Sequence, residues 1–576
     1  MEELLDEENV ELDLAQEIIS GRKCDNTKTQ YRRKFEHFRQ WIILKYPVCA
    51  LPDSINVNLQ AVTKEHLQDF FGHICKKKAK NGTYLSPVVY QTFQHVSGCK
   101  SAIKDSFSNG DCDFKPDIDK KLKNFFGGYQ RKIANLKQDG VMSIIEGKQP
   151  MSFKGYKFLA NKAFTQECDY NLSIFSHFFL LLCWNLIARC ISVGSLMYNH
   201  ISWVDDAMVI VFPSHKGDKD GTRALPKHVY ANTSEPNICP ILSFAIYVFT
   251  RGYEREGSKT RIFHGDSESR FSKWLTRLCA ENKEVLKNQG VDISMIGTHS
   301  FRKGIATFLS GTPGGPTAIA IYLRAGWSLG PVQSRYILEG EGGDQVCGRA
   351  ATGLPLTDTS FANLPAHFLT ADNGLSSQEW EDILPGYSTY YPLSFREVIP
   401  YLLASLVYHK DYLKDLQSNH PRHPLFLQHV WTSGILDKIK DRVGAGCNRN
   451  PVSKMFATGV PPHLVLANRI AEMQAGVDNL RFEIIGRLER LPEDLKASLL
   501  ENFRVEGVLP ITQLQIADMM NDLKVSLLAA MQHAPPPAPE VDALIERARP
   551  EDVTGYSLWE WKSRFHPVPE NFSFPK

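Results

Sequence analysis

The longest apolar run in the chain extends from Ile174 to Ala188 and has His177 and Asn185 inside it. A bilayer span needs about 20 apolar residues. This run is shorter and broken by polar groups, so it reads as a buried core helix and the chain as a folded one with a sizeable interior. At about 150 residues per domain, the 576 residues suggest roughly four units. No Lys or Arg precedes Arg22 and no apolar stretch follows the start, which reads as no secretory signal. The 12 cysteines are scattered singly, without a C-x-x-C pair. That pattern fits reduced thiols and argues against a disulfide framework or a zinc module.

A net charge of +2 hides a strong asymmetry. Residues 1–20 carry 8 acids and no base, whereas residues 21–140 carry 22 Lys and Arg against 11 acids. Residues 141–356 have 23 against 18, and the remainder 21 against 27. A basic front half between acidic ends points to a polyanion-binding surface. Its alternative is a basic face that only meets solvent.

The pattern of apolar residues divides the chain further. Residues 1–20 read as an acidic arm. In the segment Thr27 to Lys45, Tyr31, Phe35, Phe38 and Ile42 form one helical stripe, with Arg32, Arg33, Lys34 and Arg39 off it. A second helix is expected from Thr63 to Lys78, opening on T-x-x-H and ending in Lys76, Lys77, Lys78 and Lys80. A third is expected over about Ser86 to Asp105 and a fourth over Ile118 to Lys137, with no strand between them. Residues 21–140 thus read as a basic helical bundle, and 141–150 as a linker. MVIVFPSHKGDKDGTRALP signals a hairpin or small sheet edge. Helices are expected again over roughly 394–417, 424–442 and 463–491. Ile470, Met473, Val477, Leu480 and Ile484 space as a coiled-coil seam, which suits either assembly or an intramolecular bundle. Residues 534–539 form a stiff Pro-rich linker, and the aromatic tail has no clear pattern.

The chemistry concentrates after Gly297. Thr298 is placed to cap a helix, and His299 and Arg302, three apart, share one helix face. Both then project from a helix N-terminus, where backbone N–H groups favour an anion. Taken alone, H-x-x-R is more often a surface salt bridge, and chance matches are frequent. Trp327 follows further along the chain, and Tyr336 lies beyond it on a helix opened by Pro331. Arg189 ends the buried apolar run, an odd place for a guanidinium unless it is paired. Lys216 follows at the hairpin tip.

In that order and near those spacings, Arg189, Lys216, His299, Arg302, Trp327 and Tyr336 resemble the active-site set of the tyrosine recombinases, the phage integrase type. Within that family, ARCISVGSL, HKGDKDG, THSFRKG, RAGWSLGPVQSRY and GGDQVCGRAATGLP look most like the Crypton-type DNA transposon recombinases of eukaryotes. The resemblance implies a mainly α fold. An all-α core-binding domain (21–140) would precede an α+β catalytic domain (141–356) with a small β-hairpin or sheet. Helical extensions (357–462 and the coiled-coil-like 463–533) and a Pro-rich linker with an aromatic tail (534–576) would follow. It implies double-stranded DNA as partner, a dimer on each site and a tetramer in synapsis. It also implies residence in the nucleus, with no membrane, no metal and no cofactor.

The implied chemistry is physically coherent. Arg189 and Arg302 would hold the non-bridging oxygens of a pentacoordinate phosphorus, bidentately. Tyr336 would attack to leave a 3′-phosphotyrosyl ester, Lys216 would protonate the 5′-oxygen, and His299 would donate to the phosphate or manage the tyrosine proton. Trp327 would hold the phosphate and pack the Tyr336 helix. Arg32, Arg33, Lys34, Arg39, Lys76, Lys77, Lys78 and Lys80 would contact the DNA backbone. Ser192 departs from the acid that many members carry three residues after the first arginine. A relaxing enzyme of the type IB topoisomerase kind, or a catalytically silent DNA-binding derivative, are the alternatives.

Overall fold

A computed structural model of the protein describes residues 13–15, 17–79, 81–110, 112–144, 147–166, 169–213, 224–253, 260–327, 341–446, 450–467, 469–470, 473–480, 482, 525, 558–561 and 564–567. It is mainly helical, with three small antiparallel sheets among these residues. None of the described helices is long and apolar enough to cross a membrane. The chain divides into two compact units. One combines residues 1–162, 187–194 and 265–308; the other holds 163–186, 195–264 and 309–576.

The first unit begins with four helices, α1 (Asp25–Lys45), α2 (Lys64–Ile74), α3 (Phe93–Asn109) and α4 (Pro116–Gln138). The expected stripe on α1 is there: Phe38 and Ile42 are fully buried, and Tyr31 and Phe35 partly so. Phe38 meets Phe70 at 5.0 Å, and Phe71 meets Phe126 at 5.1 Å, so aromatic rings join α1, α2 and α4. Each such ring contributes about 1.5–3 kcal/mol by leaving water. Helix α2 starts as its T-x-x-H opening predicts. The Thr63 hydroxyl accepts from the His66 N–H, and His66 Nδ1 accepts from the Thr63 N–H.

Two expectations for this bundle need correction. Helix α2 ends at Ile74, so Lys76, Lys77 and Lys78 do not lie on it. They form one side of a β-bridged loop, with Lys76 opposite Tyr90 and Lys78 opposite Tyr84. Gly82, at φ +84°, turns the chain back, and the Lys77 N–H donates to the Val89 carbonyl across the loop in place of a helical bond. Helix α3 accordingly starts at Phe93 and not near Ser86, capped by Thr92.

The remainder of this unit supports one backbone contact of note. Gly304, on the helix Thr298–Gly311, lies directly against residue 151: a Cβ there would overlap the Met151 carbonyl oxygen. The Met151 N–H also donates to the Ser300 carbonyl at 2.9 Å. Residues 148–151 are therefore strapped along the start of the helix that carries His299 and Arg302.

In the second unit, the apolar run is carried by the helix Tyr170–Asn185, capped by Asp169 and buried from Ser173 to Asn185. His177 is satisfied inside it: one ring nitrogen meets Ser243 Oγ and the other the Asn237 carbonyl, both at 2.7 Å. Next come β1 (Ile201–Val204), β2 (Ala207–Ile210) and β3 (Lys227–Val229), in sheet order β1-β2-β3. The β2–β3 pairing, with Met208 opposite Val229, makes a small sheet where one was expected, but β3 starts just past the segment 208–226 that signalled it, and β1 adds a strand that was not anticipated.

Residues 357–462 share this unit's core. Trp203 of β1 stacks on Tyr401 at 3.8 Å, and Phe244 meets Phe395 at 5.4 Å. The expected helices 394–417 and 424–442 are broken into short pieces, including Ile399–Tyr408 and Lys410–Asn419. The two-stranded sheet β4 (His367–Phe368) with β5 (Val443–Gly444) was not anticipated, nor was the pairing of β6 (Leu558–Trp561) with β7 (Arg564–Pro567). On the coiled-coil seam, Ile470, Met473, Val477 and Leu480 are all exposed, and Ile484 lies outside the described residues.

Acid stability follows from three buried imidazoles. Burial pushes His177, His409 and His423 each down to about 4 from the usual 6.5. A depressed folded pKa gives stability that is present above the unfolded value and lost as pH falls through the folded one. The free energy of denaturant unfolding should therefore fall from about pH 6.5 downward, by up to about 1.4 kcal/mol per pH unit per histidine. His409→Leu should shallow that slope by one proton; an unchanged slope would contradict the assignment. Gly304→Ala should destabilise the chain by about 1–3 kcal/mol, whereas Gly311→Ala, with no neighbouring atom near its new methyl, should not.

Candidate functional site

Arg189 is placed by a strained turn. Ile187, β-branched and fully buried, takes φ +49°, a conformation costing about 1–3 kcal/mol. The short helix Cys190–Gly194 then starts directly after Arg189, and the Arg189 carbonyl accepts from the N–H groups of Ser192 and Val193. Arg189 ends half-buried.

His299 and Arg302 come from the first turns of Thr298–Gly311. Thr298 is the first helical residue and not the cap; the side-chain bond at this end is the Ser300 hydroxyl accepting from the Gly297 N–H at 3.1 Å. Arg302 is only 8% exposed, while His299 remains exposed.

Arg189 acts on the other two side chains, and Arg302 acts on His299. Burial, then the charge of Arg189, drives the Arg302 guanidinium down to about 10. His299 is lowered by burial, then by Arg189 and Arg302, against an opposing pull from Glu268. Burial alone lowers Arg189. The charge of Arg189 thus reaches both Arg302 and His299 at the start of a helix. Like charges brought together out of water are unfavourable unless an anion joins them. Two planar forks at a helix N-terminus suit a tetrahedral oxyanion such as a phosphate diester. Lys303 turns away to donate to the Lys148 carbonyl at 2.6 Å. Glu268, on a different helix from His299, belongs to this field and carried no signal in the sequence.

The other expected site residues lie elsewhere in the chain. Trp327 belongs to the second unit, just after Gly326, the left-handed cap of Ala318–Ala325. Half-buried, it meets the Tyr322 ring edge-on at 5.1 Å. Lys216, in the connection between β2 and β3, and Tyr336 fall outside the described residues, as does Lys80. Arg324, near the site in sequence, is structural. Fully buried, it donates to the Asn185 and His228 carbonyls and pairs with Asp344 Oδ1 at 2.6 Å.

Among the residues expected to meet a polyanion, Arg32 and Arg33 are exposed on α1. Arg39 is engaged, donating to Glu36 Oε2 at 2.7 Å and to the Ile55 carbonyl. Lys76 and Lys78 lie over the Tyr84 ring, and Lys78 Nζ reaches His73 Nε2 at 3.1 Å. Burial and then Lys78 lower His37; burial and then Lys34, His37 and Lys77 lower His95. The charges of Lys34 and Lys77 thus act on His95 and that of Lys78 on His37, although the lysines come from distant stretches of the chain.

An anion held by the arginine pair would favour the protonated imidazole, so His299 should rise in pKa when phosphate binds. NMR titration of the His299 ring with and without phosphate would read this; no upward shift, or one that persists in Arg189→Met, would contradict the geometry.

No protein-family model matches the chain, and no curated protein does. Among solved structures, it is similar to a chain of a Flpe–Holliday junction complex at 12% identity, covering 69% of this chain and 100% of that one, with a TM-score of 0.28. It is similar to an FLP recombinase–Holliday junction complex at 12% identity, covering 68% and 98%, with a TM-score of 0.29.

Proposed function

We propose that this chain cleaves and rejoins DNA strands as a tyrosine recombinase, with Arg189 and Arg302 as the phosphate clamp. What supports the reading is the placing of Arg302, only 8% exposed, at the start of a helix, with the charge of Arg189 acting on both it and His299. Together with the order and spacing of Lys216, Trp327 and Tyr336, that placing suits transesterification at a phosphodiester. The Tyr336 oxygen attacks phosphorus, the bond to the 5′-oxygen breaks, and a 3′-phosphotyrosyl ester retains the bond energy. Lys216 supplies the proton taken by the 5′-oxygen, and the neutral His299 accepts or relays the one leaving Tyr336. A 5′-hydroxyl from a second strand then reverses the step. Each guanidinium, preorganised for the charge that develops on the non-bridging oxygens, is worth about 10²–10³ in rate.

Lys34, Lys77 and Lys78 would hold the duplex through its phosphates, so affinity should fall steeply with salt. The finer reading is a Crypton-type element's recombinase acting in the nucleus, as a dimer on each site and a tetramer in synapsis. Segments such as ARCISVGSL, THSFRKG and RAGWSLGPVQSRY support it.

The test is a covalent adduct. Incubated with a labelled duplex bearing its own element ends, the wild-type chain should form a protein–DNA band that survives denaturation. Tyr336→Phe should form none, and Arg302→Ala should form it about 10²–10³ times more slowly. Salt-sensitive binding without any adduct would overturn strand cleavage and leave a DNA-binding protein. Relaxation of a supercoiled plasmid without exchange between paired sites would favour the topoisomerase reading.

A further inference from the structure

The first unit contains a cleft of about 410 Å³ that the strand-cleavage site does not use. It opens between residues 19–23, the first half of α1 and the end of α3. Arg22, Lys23, Lys28 and Arg32 line it, with the half-buried rings of Tyr31 and Phe35. Its one acid, Asp105, is taken: Lys23 Nζ donates to it, and Arg22 stands 3.8 Å away. Lys28 has only the fully exposed Asp25 at 3.8 Å, a contact worth little in water. Among the described residues, Arg32 has no acid within ion-pair distance. The cleft is therefore cationic and aromatic, with two of its four cations left to outside partners.

We propose that the acidic segment 1–12 of the same chain occupies this cleft and competes with DNA for its cations. That segment, MEELLDEENVEL, carries six acids and no base. Leu4, Leu5, Val10 and Leu12 lie between them, so it offers carboxylates to the lysines and arginines and aliphatic groups to the rings. It joins the chain shortly before Ile19, at the cleft rim. A segment of this length spans up to about 40 Å when extended, ample to fold back. Each exposed ion pair is weak and screened by salt, so the tether drives occupancy, at an effective concentration of about millimolar. Duplex DNA, with one charge per about 1.7 Å, displaces such an occupant, whereas a sparse polyanion does not. The arm would thus favour dense, correctly placed duplex over incidental anions. This inference rests on the reading that the basic bundle binds DNA.

Fluorescence anisotropy of a labelled duplex would test it on three proteins: the full chain, a chain lacking residues 2–12, and a full-length chain with all six acids changed to their amides. Both altered chains should bind about tenfold more tightly at low salt, the gap closing as salt rises. A synthetic peptide of residues 2–12 added to the truncated chain should weaken binding again, and a photoreactive version should label the Lys28–Phe35 segment. Affinities within about twofold of the full chain's, labelling elsewhere, or cross-links between copies instead of within one, would overturn the proposal. Arm-dependent affinity without a covalent adduct would leave this inference standing and remove strand cleavage; an adduct with arm-independent affinity would do the reverse.

Discussion

A repulsion lies at the centre of this molecule. Arg189 and Arg302 lie close enough, and deep enough, that the first lowers the pKa of the second. That like-charge interaction is unfavourable, and the chain meets further cost in holding Ile187 in the left-handed region two residues before Arg189. Strain of this kind persists only where surrounding structure over-determines it. The strapping of residues 148–151 along the start of the 298–311 helix supplies that rigidity on the Arg302 side, and the close approach at Gly304 fixes its register.

The second unit shows how the same residue type is used for stability. Arg324 is paired with Asp344, and Arg349 with Asp206; both guanidiniums are fully buried and also bond to carbonyls. Tyr230 and Thr458 complete the network around Arg349. There, each charge is neutralised within the protein, and removing one partner of such a pair would leave the other stranded, at a cost of about 3–5 kcal/mol. The charge that acts on Arg302 is that of another arginine. The two buried pairs are thus separable from Arg302 by the charge that acts on them: a carboxylate in one case, a second arginine in the other.

Much of this was legible in the sequence because it is local. The i, i+4, i+7 stripe on α1, the cap at Thr63, the burial of the Ile174 run and a small sheet from β2 onward each follow from short-range pattern. What was not legible depends on contacts far apart in the chain. The lysines at 76–78 read as a helix end because helical periodicity carries no information on where an Asn-Gly turn will win. Glu268 enters the field of His299 from a separate helix. Arg324, close to the site in sequence, is held by Asp344, which lies on a separate helix. Order and spacing grouped Arg189, Lys216, His299, Arg302, Trp327 and Tyr336 as a set; of these, Arg189 and Arg302 both act on His299 by their charge.

The distinction between the two kinds of arginine can be measured without DNA. Thermal unfolding of the wild type, Arg189→Met and Arg349→Met should be followed in anion-poor buffer and then with added phosphate. Arg189→Met should melt no lower than the wild type without phosphate, because a repulsion is relieved, and should lose the stabilisation phosphate gives the wild type. Arg349→Met should melt well below both and keep its phosphate response. If Arg189→Met instead melts as low as Arg349→Met and still responds to phosphate, Arg189 is a structural arginine and the anion site does not exist.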